Sequence, residues 1–424
     1  MTRRGAGRLV GAGMMSAVAA LAGVLVAPPA SGQEPDDPPQ SQVERAIVGG
    51  SLTRAAEEIE AAVAQAPDDN QAVFALGVVQ FLQSGERLAR AAHKYGASVE
   101  GNPILRFSGL PGAPIPQGVE PRELSYEQLR ETVAAWRDDV QRAEATLARV
   151  GEQDVKLRIP IGLIRMDFND DGAADENEAL WVLFNRLRTR FNGTDEDARD
   201  FIIAFDRGDV EWLRGYCHIC MAVAELILAH DFRDLFESCG HLMFAKPQTP
   251  HKFLLSRVPD EHEPFLDLIA LVHLMRFEVI EPDGIERARQ HLLSAVGRSR
   301  AMWRYFDAET DDDREWIPNP RQTAAIRGAS VSEEMREMWL LFLDEAEEVL
   351  EGNRLARFWR PSDTRGVNLK RVFTEPRPFD LVLWVQGTAA APYLENGQTT
   401  SPRLWDRMER AFGHQVFRHS FWFN

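Results

Sequence analysis

An oxygen-rich stretch of twelve residues, from Asp167 to Glu178, holds the side chains best suited to chemistry. It follows the pattern D-x-[DN]-x-[DN]-G-x5-E without a gap. Calcium is a hard cation that takes six to eight oxygen ligands at roughly 2.3–2.6 Å. Gly172 would make the sharp turn that closes the loop. The spacing predicts a calcium site whose oxygens come from Asp167, Asn169, Asp171, the Ala173 carbonyl, Asp175 (directly or through water) and a bidentate Glu178.

At these twelve positions the chain resembles the EF-hand family. The resemblance implies a helix on each side of the loop and an ion that clamps them. On the entering side Pro160 and Gly162 leave room for about two turns, so we expect a short helix over residues 161–168. A second loop of this pattern is absent from the sequence, which argues against a paired sensor. On the exit side, apolar residues recur at helical spacing: Ala179, Leu180, Leu183, Phe184, Leu187 and Phe191.

Two alternatives concern the acidic stretches. The 167–178 stretch could be a surface turn that ends at a helix N-terminus, where the helix dipole favours acidic residues. Residues 307–313 (DAETDDD) are also acidic, but they lack the glycine and the carboxylate at position twelve. We interpret residues 307–313 as a solvated loop.

Residues 1–32 have the pattern of an export signal. Arg3, Arg4 and Arg8 precede an apolar run over residues 11–26, and residues 30–32 (ASG) offer a cleavage site. The apolar run is short for a membrane span and is followed by two prolines. We therefore expect a periplasmic or secreted protein with no membrane span in the mature chain.

Composition narrows the partners. The chain is 44% hydrophobic and 27% charged, which is typical of a folded protein. Its net charge of −17 becomes about −20 once the three signal arginines are removed. Nucleic acids and anionic membrane surfaces attract basic patches, so this charge argues against both. It is compatible with divalent cations and with protein partners.

Sequence composition divides the mature chain into four parts. Residues 33–45 are a Pro-rich, disordered linker, and residues 101–123 are a Gly/Pro-rich loop. Between them, residues 46–100 resemble the tetratricopeptide repeat, with a plain helical hairpin as the alternative. The matching positions are Ala55, Ile59, Ala62 and Pro67, followed by a helix over 70–83 with Val73, Leu76 and Gly77 in order. Residues 124–424 form a helical domain that contains the calcium loop.

Within that domain, helical patterns predominate. Ser125 and Gln128 form a capping box that opens a long helix. Its seam is Leu129, Val133, Trp136, Val140, Ala143, Leu147 and Val150. Further helices are expected over 195–205 (capped by Thr194), 264–280, 284–296 and 332–350. Another, capped by Asp206 or Asp209, would be a buried core helix that contains the apolar stretch 216–229, which is too short to cross a bilayer. Residues 379–385 could be a strand or a buried helix. The predicted fold class is all-α, an array of helical hairpins.

Three cysteines leave three interpretations open. Cys217 and Cys220 lie one turn apart on an apolar helix, and Cys239 follows. They could be buried free thiols, one pair could form a disulfide in an exported protein, or, with His218 and His241, they could bind zinc.

Catalytic motifs are absent from the sequence. The histidines do not follow a metalloprotease spacing, and His273 in an apolar helix is most simply a core histidine. The Arg-rich, aromatic C-terminal third could line an anion pocket, although arginines lying over an aromatic core explain it as well. The sequence therefore favours a calcium-binding scaffold or protein-interaction protein, with an envelope hydrolase whose site lies in the C-terminal region as the alternative.

Overall fold

The computed structural model describes residues 41–97, 120–182, 201–256, 263–326, 329–412 and 422–424. The predicted signal peptide, most of the linker and most of the Gly/Pro-rich loop lie outside these residues. So do residues 183–191 of the predicted exit helix and residues 195–200 of the helix that follows.

Three helices open the described chain: α1 (Gln42–Val48), α2 (Leu52–Gln65) and α3 (Asn70–Lys94). Each begins after a side chain that accepts hydrogen bonds from the first-turn N–H groups, namely Ser41, Ser51 and Asp69. Helix α3 continues without a break to Lys94, beyond the helix over 70–83 that the repeat resemblance suggests. The likeness to a tetratricopeptide repeat stays a prediction.

The long helix expected after Ser125 is confirmed as α4 (Tyr126–Leu147), with the Ser125–Gln128 capping box formed at its start. All seven predicted seam residues are buried. The helix packs mainly against α3 and against the helix Arg207–Leu228 (α5). At the α3 contact, a Cβ on Gly77 would lie 2.5 Å from the Leu147 side chain, so glycine allows the close approach.

A two-stranded antiparallel sheet leads into the predicted calcium loop. It pairs β1 (Leu157–Pro160) with β2 (Ile202–Phe205). The prediction of helix up to residue 205 is therefore wrong at its C-terminal end. The expected entering helix over 161–168 is also wrong, because only a 3-10 turn, Ile161–Leu163, is helical there. The chain instead gives its backbone groups to the sheet, and the Ile161 N–H donates to the Phe201 carbonyl at 3.0 Å.

The centre of the molecule is the pair α5 (Arg207–Leu228) and α8 (Pro282–Ala308), which share the most extensive helix contact. Asp206, one of the two caps that the sequence left open, caps α5, and it forms a capping box with Asp209, the other candidate. A Cβ on Gly208 would lie 2.3 Å from the Phe306 ring, so a side chain here would force the helices apart. Helix α8 is longer than the predicted 284–296.

The other described α-helices are α6 (Arg233–Cys239), α7 (Glu263–Leu274), α9 (Glu333–Leu350), α10 (Leu369–Thr374), α11 (Leu381–Gln386) and α12 (Pro402–Ala411). Two small antiparallel sheets join them. The first contains β3 (His230–Asp231), β4 (Arg276–Val279) and β7 (Phe379–Asp380); the second contains β5 (Ala356–Arg357), β6 (Gly366–Val367) and β8 (Leu394–Glu395).

Two expectations need correction in this region. The helix predicted over 264–280 ends at Leu274, because residues 276–279 pair with β3 and β7 instead. Residues 379–385 divide between β7 and α11, and α11 is half-exposed rather than buried. Helix α9 begins after Ser332 and ends at Leu350, as predicted.

One large hydrophobic core runs through helices on both sides of residues 98–119. It includes side chains of α1 to α5, β1, β2, α8, α9 and α12, together with Trp422 and Phe423. The fold is mostly helical with a few short strands, which confirms the predicted class. Among the described residues, no helix combines the length and apolar character that crossing a membrane requires.

Candidate functional site

The predicted calcium loop has a compact backbone that its own acidic side chains organise. Asp167 Oδ1 accepts the Asp170 N–H at 2.7 Å, and Asp167 Oδ2 accepts the Gly172 N–H at 3.2 Å. Two residues turn into the left-handed region, Asp170 at φ 62° and Gly172 at φ 87°. Glycine adopts this conformation without steric cost, so Gly172 makes the turn expected of it.

In the middle of the loop, the side chains of Asn169 and Asp171 also accept backbone N–H groups, each from the residue two positions further on. Asn169 Oδ1 accepts the Asp171 N–H at 2.8 Å, and Asp171 Oδ1 accepts the Ala173 N–H at 2.9 Å. The Asn169 amide donates to Asp171 Oδ2 at 3.0 Å. Asp171, Ala173 and Asp175 are exposed. These oxygens are anchored by one bond each or face solvent, so further lone pairs stay available to a cation.

Glu178 closes the neck of the loop and is itself buried. Its Oε1 accepts the N–H groups of Phe168 (2.9 Å) and Asn169 (3.3 Å), and its Oε2 accepts the Asp175 N–H at 3.1 Å. Below it, Met166 N–H donates to the Glu178 carbonyl. No three carboxylates of this fully described loop come within 4.8 Å of one another. To bind calcium through both oxygens, Glu178 would have to exchange these backbone bonds for the ion.

Two residues of α3 fasten the loop to the helical body. Arg90 Nη2 lies 2.9 Å from Asp167 Oδ2 and 3.2 Å from Glu86 Oε2. Glu86 Oε1 accepts the Asp167 N–H at 2.7 Å. Burial raises the pKa of Glu86, and the positive charge of Arg90 opposes that rise. Arg90 Nη1 also lies 3.6 Å from Asp170 Oδ1, so this guanidinium contacts two of the six carboxylates of the loop.

A second acidic site was missed by sequence reasoning. It joins Asp206 at the start of α5, Glu309 just after α8, and Glu315, whose ligand oxygens all lie within 4.8 Å of one another. We call these three residues the junction cluster. Sequence reasoning treated Asp206 as a helix cap and residues 307–313 as a solvated loop. The second interpretation is wrong for Glu309, which is half-buried against Asp206.

Protons are held unusually tightly in the junction cluster. Burial and the neighbouring Asp206 raise the pKa of Glu309 to about 9. Burial raises the pKa of Glu315 to about 7, with Asp206 adding to the rise. Burial also raises the pKa of Asp206 and, more strongly, that of Asp209. These residues come together only in the folded chain, and their spacing in the sequence matches no motif from which the cluster could have been predicted.

The three cysteines are free and buried. Cys217 and Cys220 lie in α5 and Cys239 ends α6. Burial raises the pKa of the Cys220 thiol to about 12 and that of Cys239 to about 11. His241 contacts Asp267 at 3.3 Å. The arrangement is that of buried thiols.

Two other sequence interpretations concern histidine and arginine. His273 is exposed at the end of α7, so its interpretation as a core histidine is wrong. In the C-terminal third, Arg371 pairs with Glu375 and Glu395 above a small core built around Phe358 and Tyr393. This agrees with arginines lying over aromatic core.

A histidine pair lies between α5 and α8. His218 Nδ1 is 3.1 Å from His291 Nδ1, and His218 Nε2 is 3.6 Å from Glu144 on α4. Burial lowers the pKa of His218 to about 4, against the opposing charge of Glu144. Burial also lowers the pKa of His291. Other charged groups around the pair are Arg137, Arg214, Glu225, Arg287 and Arg298.

This pair should make the fold acid-sensitive. Between pH 6.5 and 4 an unfolded histidine binds a proton that the folded His218 does not, so stability falls as the pH falls. We expect a loss on the order of 2 kcal/mol across this window. His218→Gln should flatten the slope, measured by urea unfolding at each pH, whereas exposed His251→Gln should leave it unchanged. Equal slopes in all three proteins would contradict the assignment.

Comparisons with protein-family models, with characterised proteins and with solved structures found no match.

Proposed function

We propose that the protein is an exported, calcium-binding helical scaffold, in which calcium bound by residues 167–178 has a structural role. The observation that carries the proposal is the loop itself. Six positions have the required residue types, and Gly172 adopts the required turn. Asp167 Oδ1, Asn169 Oδ1 and both carboxylate oxygens of Asp171 each accept one hydrogen bond, which leaves each of them a further lone pair.

The contacts of the loop support a structural role. Through Arg90 and Glu86 the loop is fastened to α3, and through β1 it continues into the sheet with β2. An ion at Asp167 would therefore brace α3 against the β1–β2 sheet. Extracytoplasmic calcium sites bind with dissociation constants on the order of 10⁻⁴–10⁻³ M, so the site would stay filled where calcium is abundant.

The surface supports a scaffold that binds protein partners. Helices α7 and α11 pack against each other and expose large apolar side chains. Exposed contiguous apolar surface commonly marks interaction sites. The residues of this face are Phe265, Leu266, Ile269, Val272, Val382, Leu383 and Val385.

Calcium titration of the chelator-stripped mature chain tests the proposal. We expect saturable heat in the calorimeter that Asp167→Ala abolishes, because that change removes the first ligand of the loop. Glu178→Gln should weaken binding at least tenfold, since a neutral amide cannot replace a bidentate carboxylate. If calcium also binds elsewhere on the chain, both effects apply only to the heat from binding at residues 167–178.

The matched control is Glu176→Gln, an exposed change in the same loop at a position that is not a ligand. It should bind calcium like the parent chain. A loop isotherm that persists unchanged in Asp167→Ala, or the absence of any calcium heat at millimolar concentrations, would refute the proposal.

A further inference from the structure

The junction cluster lies where three segments of the molecule meet. Asp206 caps α5, Glu309 is the first residue after α8, and Glu315 belongs to a segment that bridges to Ala324. Helices α5 and α8 form the central pair of the fold. A ligand held here would tie the start of one central helix to the end of the other.

Each carboxylate of the cluster is anchored through one oxygen. Asp206 Oδ1 accepts the Gly208 N–H at 2.7 Å, Glu309 Oε2 accepts the Gln322 amide at 3.2 Å, and Glu315 Oε1 accepts the Asp313 N–H at 2.9 Å. Among the described residues, we find no N–H donor at the second oxygen of any of the three. The anchors fix the orientation of the carboxylates. Asp206 and Glu309 also share a side-chain hydrogen bond when one of them is protonated, and a cation bound between them would take the place of that proton.

Asp209 gives an independent sign that a ligand is missing. Its side chain is 1% exposed, and its Oδ2 accepts the Asp206 N–H at 3.0 Å, which holds the carboxylate against the cluster. Its Oδ1 is buried without a hydrogen-bond partner. Asp209 also lines a cavity of about 50 Å³ whose other lining residues are apolar or aromatic, among them Phe74, Leu213 and Trp316. An orphaned buried carboxylate oxygen is costly unless a cation or a proton satisfies it.

Charge balance leads to the same conclusion. Two described cations lie nearby: Lys156 pairs with Asp311 and Asp313, and Arg158 pairs with Asp313. The charge of Lys156 also acts on Asp206 and Glu315, so it is shared between the cluster and these two carboxylates. Asp206, Asp209, Glu309 and Glu315 therefore place four carboxyl groups in a largely buried volume that holds fewer positive charges than acids. Buried charges persist only when they are paired, protonated or bound to a metal.

We propose that Asp206, Glu309 and Glu315, supported by Asp209, bind one hard divalent cation that ties α5 to α8. Oxygen-only ligands select the class of Ca²⁺, Mg²⁺ and Mn²⁺ over softer metals. Three or four protein oxygens leave room for water ligands, which suits all three ions. The site is separate from the 167–178 loop and shares no residue with it.

The test uses the full mature chain carrying Glu178→Gln, which weakens the loop site at least tenfold, so that binding at the junction cluster can be distinguished from it. CaCl₂, MgCl₂ and MnCl₂ are titrated separately into the chelator-stripped protein in a calorimeter. We expect one saturable site per chain for at least one of the three ions. Adding Glu309→Gln, or separately Glu315→Gln, should weaken that site at least tenfold, whereas Asp311→Asn, which changes a neighbouring acid outside the cluster, should not.

Thermal unfolding gives a second reading that does not require the variants to bind metal. In chelator, Glu309→Gln should unfold at about the same temperature as its parent, because a neutral amide replaces a carboxyl group that holds a proton when no metal is bound. The selected cation should raise the unfolding temperature of the parent and of Asp311→Asn, but not that of Glu309→Gln.

Two results would overturn the proposal. One is the absence of saturable binding of all three ions at millimolar concentrations by the folded Glu178→Gln chain, which would leave protons as the sole compensation of the cluster. The other is unchanged affinity in both Glu309→Gln and Glu315→Gln. Because the loop is tested by its own variants in the natural background, neither result bears on the loop proposal.

Discussion

Arg90→Gln should lower the free energy of unfolding in chelator by about 2–3 kcal/mol. Arg90 contacts Asp167 and Glu86, whose side chains are 3% and 5% exposed, and its loss leaves two buried carboxylates without a counter-charge. Removing one partner from a buried ion pair costs roughly 3–5 kcal/mol, and the 31% exposure of the Arg90 side chain places this case below that range. Urea unfolding of the parent and the variant measures the difference.

Calcium should reduce the difference in free energy of unfolding between the parent chain and Arg90→Gln. An ion bound at Asp167 supplies the positive charge that the variant lacks, so Arg90→Gln should gain more stability from millimolar calcium than the parent chain does. Arg87→Gln on the same helix is the matched control. Its partner Asp139 keeps a second cation, Arg142, at 2.9 Å. Arg87→Gln should therefore lower the free energy of unfolding by well under half as much as Arg90→Gln does. An Arg90→Gln deficit that is equal with and without calcium would show that the ion does not reach Asp167.

Phe423→Ala should destabilise the fold by about 3–5 kcal/mol, the range for a large aromatic side chain removed from a core. Phe423 has no exposed surface, and its ring lies edge-on to Trp303 (5.3 Å) and Trp339 (5.6 Å). Its carbonyl accepts the Ser299 hydroxyl at 3.1 Å, which fixes the backbone beside α8. The truncation would leave a cavity between α8 and α9 that rigid indole rings cannot fill.

Phe253→Ala is the control for this change, because Phe253 is 74% exposed. It should alter the free energy of unfolding by less than about 0.5 kcal/mol. Chemical denaturation followed by tryptophan fluorescence measures both. Similar losses in the two variants would mean that Phe423 does not carry the packing assigned to it.

Local signals made much of the helical fold predictable. The Ser125–Gln128 capping box and the seam that follows it specified α4, and Ser332 specified the start of α9. Caps and apolar spacing act within one or two turns, so one sequence contains them completely. Asp206 was recognised as a cap for the same reason.

Pairing between distant segments could not be predicted in this way. The chain before the calcium loop became strand rather than helix because residues 157–160 find hydrogen-bonding partners in residues 202–205. Helix α7 likewise stops at Leu274 because β4 lies between two strands that are far away in sequence. Propensity in such segments is weak, and tertiary partners decide the outcome.

The candidate sites also differ in how far they depend on local sequence or on contacts between distant residues. All six ligand positions of the loop lie within twelve residues, so their spacing could be recognised. Arg90 reaches Asp167 across 77 residues, and Glu309 meets Asp206 across about a hundred. An arginine on a helix and an acid after a helix are ordinary in isolation. Their role depends on packing, which the sequence pattern does not contain.

Labelling of the buried thiols described above would report when and where the folded molecule opens. A thiol reagent reacts with the thiolate, and burial both shields these sulfur atoms and raises their pKa. While the chain is folded, Cys217, Cys220 and Cys239 are therefore chemically silent. Cys217 and Cys220 report on the central helix α5, and Cys239 reports on the peripheral helix α6. The order in which they become labelled distinguishes local fraying at the edge from global unfolding through the centre.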